Sequence, residues 1–226
     1  MKPATLLLAF ALIPLLPAFA QAQVPPTPAE VAAYDGILRA AHEGDAMALE
    51  AAIAAGELER MDGYGRTAVH IAAHASHEAA IAALAKAGAD MNKLENDAYD
   101  AVTIAAVAND TDMLEAALAA GNKPTNITSR YIGTALIAAA HLGHHEVVRI
   151  LIEAGAPLDH VNNLHWTAVM EAVVLGDGGP DHQAVLDALL DAGADRTLAD
   201  RDGATPLQHA RARGFREMVE RLETLD

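Results

Sequence analysis

Eleven histidines are spread through the sequence, and two groups of them have spacings that could hold a metal: His70-x-x-x-His74-x-x-His77 and His141-x-x-His144-His145. Imidazole nitrogens are good zinc ligands, and on a helix a spacing of four places His70 and His74 on one face. Zinc hydrolysis also needs a base beside the metal, which a His-Glu-x-x-His stretch supplies, and no glutamate lies between His70 and His74. Other catalytic groups fare worse. There is no cysteine, no Gly-x-Ser-x-Gly elbow and no phosphate-binding glycine loop, and Ser76 and Ser129 are the two serines of the chain. The carboxylates are scattered, with no pair set apart as acid and base. These residues predict a protein that is not an enzyme and carries no cofactor.

The elements that would position any site are set by repetition. Gly56, Gly88, Gly121, Gly155 and Gly193 each follow a stretch rich in Ala, Leu and Ile. A second series keeps step with them: Thr67-Ala-Val-His, Asp100-Ala-Val-Thr, Thr134-Ala-Leu-Ile, Thr167-Ala-Val-Met and Thr205-Pro-Leu-Gln. The Thr or Asp can accept a hydrogen bond from the unpaired N–H groups of a helix start, and Pro206 stands where no N–H is needed. Paired alanines such as Ala72-Ala73 and Ala139-Ala140 let helices approach closely. Gly44, Gly143, Gly176 and Gly214, with Ser76 and Asn109 in two units, are expected to end this first helix. A second helix follows with apolar residues at helical spacing, as in Val147, Val148, Leu151 or Val185, Leu186, Leu189. One helix pair cannot bury its own apolar faces, but a stack can.

Unit six, Asp200-Arg-Asp-Gly-Ala-Thr-Pro-Leu207, resembles the opening of the ankyrin consensus nearly residue for residue, and units two to five follow it more loosely. The chain is identified as a member of the ankyrin-repeat family over Asp35 to Asp226. The resemblance implies an all-α solenoid of about six stacked helix-turn-helix units joined by hairpin loops, with boundaries near 30–61, 62–94, 95–128, 129–161, 162–199 and 200–226. Unit one lacks the Thr-Pro-Leu-His element and resembles an N-terminal cap, and the charged run from Arg216 to Glu223 suits a C-terminal one. Unit four starts irregularly between Lys123 and Ser129, and unit five carries an insertion, Gly176 to Asp181. The resemblance also implies that His70 occupies the position where the family's Thr-Pro-Leu-His histidine makes structural hydrogen bonds, and that His144 falls on the family's common Gly-His pair.

Ankyrin repeats generally bind proteins through the hairpin tips and the exposed side of the first helix. Tyr64 and Tyr131 fall three residues before their capping Thr, and Tyr99 and Trp166 one residue before theirs. Such residues bury large area at low entropic cost and are enriched at binding hot spots; the alternative is that they cover the hairpins and pack on neighbouring loops. The expected partner surface is Tyr64, Arg66, His74, Asn96, Asp97, Tyr99, Arg130, Tyr131, Asn163, Leu164, Trp166, Arg201 and Asp202.

Composition limits the partner. The chain is 52% hydrophobic, 20% charged and 4% aromatic, so the core is built from small side chains, and its net charge of −16 disfavours nucleic acid and anionic lipid. Residues 1–20 read as a cleavable secretory signal: Lys2, an apolar run from Thr5 to Leu16, and Ala18-Phe19-Ala20 before a cut after Ala20, with Ala22 as second choice. The run is too short to span a bilayer. Residues 21–29 read as a proline-rich linker. The expected product is periplasmic or secreted, monomeric and free of disulfides, a binding module that holds, protects or inhibits a protein partner. A secreted effector that binds host proteins is the alternative. Asn126-Ile127-Thr128 is a glycosylation sequon that matters only in a eukaryotic secretory pathway.

Overall fold

Each of the five capping residues starts a helix. In the computed structural model, which describes residues 24–224, Asp100 Oδ1 accepts from the Thr103 amide at 2.8 Å, Thr134 Oγ1 from Ile137 at 3.3 Å, and Thr167 Oγ1 from Met170 at 3.2 Å. The signal expected over residues 1–20 lies outside the described residues.

The described residues form thirteen helices. A short α1 (Pro28–Ala33) precedes six pairs: α2 (Gly36–Glu43) with α3 (Ala46–Ala54), α4 (Ala68–His74) with α5 (Glu78–Lys86), α6 (Ala101–Ala108) with α7 (Thr111–Ala119), α8 (Ala135–Leu142) with α9 (His145–Glu153), α10 (Ala168–Val174) with α11 (Pro180–Asp191), and α12 (Pro206–Arg213) with α13 (Arg216–Glu223). The first helices pack on one another in sequence, α2 to α12, and the second helices form a parallel outer layer, α3 to α13. Between the layers lies one continuous core in which Ile71, Ile104, Leu136, Leu151 and Leu186 are fully buried. Each such side chain contributes about 2 kcal/mol by its removal from water. The alanine pairs Ala72-Ala73, Ala105-Ala106 and Ala139-Ala140 are buried where first helices meet, as their small size requires.

Gly44 and Gly143 show why the first helices stop at glycine. Both are left-handed, with φ of 66° and 75°, and a Cβ on either would meet the ring of a histidine from the next repeat, His77 or His182. Ser76 and Asn109 adopt the same left-handed conformation. Gly176 does not. α10 ends at Val174 with right-handed Leu175 as its cap, and Gly176 is required instead because a Cβ there would run into the Ala172 carbonyl; the left-handed residue of the insertion is Gly178, which packs on Phe215.

Two segments that looked irregular are well anchored. The last part of the proline-rich linker is docked on the repeats: Thr27 and Glu30 form a capping box on α1, and Glu30 Oε1 accepts from Arg66 Nη2 at 2.9 Å. At the start of unit four, buried Asn122 accepts from the Val102 amide at 2.8 Å, and the side-chain amides of Asn122 and Asn126 both donate to Asp100 Oδ2 at 2.8 Å. Buried Asp100 thus caps α6 with one oxygen and holds the loop with the other.

Candidate partner-binding face

The hairpin tips share a device that the sequence reading missed. Five residues before each helix cap stands an acceptor: Asp62, Glu95, Ser129, Asn162 or Asp200. Asp62 Oδ1 accepts from the amides of Tyr64 and Arg66 at 2.8 and 3.0 Å, Asn162 Oδ1 from Leu164 and Trp166 at 2.9 and 3.0 Å, and Asp200 Oδ1 from Asp202 and Ala204 at 3.0 and 2.9 Å. Glu95 does this with two oxygens, and Ser129 holds the Tyr131 amide. Short polar side chains that bind their own backbone two and four residues on close a tight turn. Successive tips are then tied together, Asn96 N–H to the Tyr64 carbonyl at 3.0 Å, Ser129 to Ala98 at 2.8 Å and Asn163 to Tyr131 at 2.9 Å. The tips form one rigid row beside the first helices, bordering a groove. The signal was present as a recurring acceptor in phase with the caps.

Within each tip, two positions face differently. The residue three before the cap points outward: Tyr64 is 55% exposed, Asp97 and Asp202 are exposed, and Tyr131 and Leu164 are half-buried. The residue one before the cap turns inward, because the chain must re-enter the helix layer there. This corrects the expected surface at two places. Tyr99 is 5% exposed and is a wall residue whose carbonyl accepts from His70, not a projecting anchor; burial pushes its hydroxyl up to about 12. Arg66 is 3% exposed and engaged inside the protein. Trp166, in the same position as these two, remains half-buried. Asn96, Arg130, Asn163 and Arg201 are exposed along the row, with Arg130 paired to Asp97 at 3.5 Å and Arg201 donating to the Asn163 carbonyl at 3.1 Å. The predicted residues therefore share one face, minus the two that are buried.

Arg66 holds the N-terminal end of that face together. Its Nε donates to Asp62 Oδ2 at 2.7 Å, where the Tyr34 hydroxyl also donates at 2.9 Å, and its guanidinium lies 4.7 Å from the centre of the Tyr64 ring. Burial alone would raise the Asp62 carboxyl, but the hydrogen bonds from the Arg66 side chain and from the backbone of Arg66 and Tyr64 outweigh it and hold it below the usual carboxylate range. Nearby His74 is half-buried, and burial, helped by the Arg66 charge, lowers its pKa to about 4.

Four of the histidines, His70, His77, His144 and His182, are structural ties. His70 Nδ1 accepts from the Thr67 amide at 3.1 Å while Nε2 donates to the Tyr99 carbonyl at 3.2 Å, so both ring nitrogens are used. The first helix of one repeat leaves carbonyls unpaired at its end, and a histidine from the next repeat takes one: His77 bonds the His42 carbonyl at 2.9 Å, His144 that of Ala106 at 2.9 Å, and His182 that of His141 at 3.0 Å. Among the described residues no group of His, Asp and Glu could hold a metal ion.

Two concavities open on this face. One, of about 290 Å³, lies between the docked linker and units two and three, and Val24, Glu30, Arg66 and His74 line it. The other, of about 320 Å³, spans units three to five between Tyr99, Tyr131, His141, Leu164 and the carboxylate of Glu171. Glu171 is 4% exposed and is held by the Asn162 amide at 2.9 Å and His141 Nδ1 at 3.3 Å.

Stacked helix pairs with hydrogen-bonded tips are the architecture of ankyrin repeats, and the comparisons agree. The family model described as "Ankyrin repeats (3 copies)" matches residues 102–200 and the one described as "Ankyrin repeat" matches 64–96. The ankyrin repeat protein YahD of Escherichia coli is 35% identical over 188 residues, covering 82% of this chain and 92% of that protein. Among solved structures, an ankyrin repeat domain from Acinetobacter baumannii is 41% identical, with a TM-score of 0.76 over 82% of this chain and 95% of its own. The ankyrin repeat protein EF0377 is 28% identical, with a TM-score of 0.77 over 85% and 100%. The chain belongs to the ankyrin-repeat family, whose domains generally mediate protein–protein interaction. An L-asparaginase of Dirofilaria immitis is 28% identical over 187 residues, a match that takes in 31% of that enzyme.

Proposed function

We propose that the protein is a non-enzymatic binding module that works outside the cytoplasm, as a monomer, after removal of residues 1–20. It holds a protein partner along the groove face and protects or inhibits it. The observation that carries this is the row of tips. Their backbones are fixed in register by internal hydrogen bonds, while Tyr64, Tyr131, Leu164 and Trp166 remain at least partly accessible on one side. Rigid aromatic groups on a preorganised surface bind with little ordering cost. The acidic balance of the chain favours a basic or neutral partner surface.

Fractionation of the native organism tests the location: the mature chain, with its N-terminus at Gln21, is expected in the periplasm or medium. Affinity capture from that fraction tests binding. A specific protein retained by the wild type and lost on Tyr131→Ala with Trp166→Ala supports the proposal, and equal retention by both contradicts it.

A further inference from the structure

The two concavities present the same chemistry in different states. Beside the N-terminal one, whose lining includes Tyr64 and Arg66, the buried Asp62 carboxylate and the Tyr64 ring are both engaged by the chain's own Arg66, with Nε 2.7 Å from the carboxylate and the guanidinium 4.7 Å from the ring centre. In the second concavity a buried carboxylate, Glu171, shares the lining with aromatic residues, Tyr99 and Tyr131, but the lining contains no lysine or arginine. The position that carries Arg66 in unit two, one residue before the cap, carries Gly133 in unit four, and Gly133 lines this cavity. Nothing in the backbone demands glycine there: a Cβ would meet only Ser129 Oγ at 3.6 Å and Ile137 at 3.7 Å and beyond, ordinary contact distances. Gly133 has no side chain, so unit four supplies no cation of its own at the position that carries Arg66 in unit two. Asn162 and His141 hold the Glu171 carboxylate in place at 2.9 and 3.3 Å. They donate hydrogen bonds, and each oxygen keeps a further lone pair for another donor.

We propose that this cavity receives an arginine side chain from the protein partner, with its guanidinium against Glu171 and between Tyr99 and Tyr131. This rests on the binding-module reading above and names the partner's chemistry. The planar fork of arginine suits a carboxylate and stacks on aromatic rings, and about 320 Å³ accommodates it.

The test uses the full mature chain, with amide resonances of Gly133, Asn162 and Glu171 followed by NMR during titration with the peptide acetyl-Ala-Arg-Ala-amide. Saturable shifts at those residues are expected, with affinity lower by about tenfold or more for the peptide in which citrulline replaces arginine. Glu171→Gln, which keeps the side-chain size, should abolish the difference between the two peptides. Gly133→Arg should weaken the arginine peptide by filling the cavity from within. Equal binding of both peptides, or no shifts, overturns the proposal. Tighter binding of free L-arginine than of the peptide overturns the assignment to a protein side chain. Failure of partner capture with the peptide result intact rejects the binding-module reading and leaves the guanidinium preference standing; capture with no peptide response does the reverse.

Discussion

The two ends of the groove face are built on one plan and finished differently. In units one to three the carboxylates of Asp62 and Glu30 meet Arg66, and the docked linker closes over them. In units three to five the cavity is lined by Glu171 and tyrosines without a fixed cation, and Trp166 stands half-buried on the tip beside it. A charge network closed on itself contributes to holding the molecule together. A carboxylate left with hydrogen-bond donors alone can still select a ligand. On the proposed reading, the residue types that serve stability at one end, arginine, carboxylate and tyrosine, would serve recognition at the other, with the arginine supplied by the partner.

The comparison breaks most visibly at Arg66. Arg66→Ala leaves Asp62 and Glu30 without their cation and is expected to cost about 3–5 kcal/mol, read by urea denaturation, whereas Glu171→Gln should change stability by less than about 1 kcal/mol. Equal costs would erase the distinction. A second contrast lies within the tips. Tyr99→Ala removes a buried ring and should lower stability by about 3 kcal/mol, while Tyr64→Ala, at an exposed site, should cost within about 1 kcal/mol. Next comes pH. In the unfolded chain a histidine takes up its proton near 6.5, but in the folded protein His74 does so only near 4. Between those values the unfolded state binds more protons, so stability falls as pH drops from about 6.5 to about 4. His70, also lowered by burial, adds to the same trend. His74→Gln should make the decline shallower in denaturation at pH 7 and pH 5, and parallel profiles would show that His74 takes no part. A small effect is also expected at His144→Ala, which loses one bond to the Ala106 carbonyl and should cost about 1 kcal/mol by thermal melting.

Much of this was legible in the residues. The caps, the paired alanines and the left-handed Ser76 and Asn109 stand where the repeat phase puts them, because each answers to local sterics and hydrogen bonding. The side to which a tip residue turns was not. Tyr99 and Tyr64 are the same residue type two positions apart in the repeat, and only the turn geometry built by Glu95 and Asp62 decides which is buried. Gly176 misled for a similar reason: it looks like another helix-ending glycine, yet it is required by the approach of the Ala172 carbonyl rather than by a left-handed backbone. Arg66 looked like a surface charge because one of its carboxylate partners, Glu30, lies in a distant segment before the first repeat pair, and the other, Asp62, reaches it only through the fold of their own tip.

The central claim is that the groove face, and not the outer helix layer, binds the partner. The most direct measurement is the affinity of the captured partner for three forms: the wild type, Tyr131→Ala with Trp166→Ala, and Glu115→Ala with Arg149→Ala on the exposed outer helices α7 and α9. The account predicts that the groove pair loses about 30-fold or more while the outer pair stays within about twofold of wild type. Unchanged affinity in the groove pair, or a comparable loss in the outer pair, would contradict it.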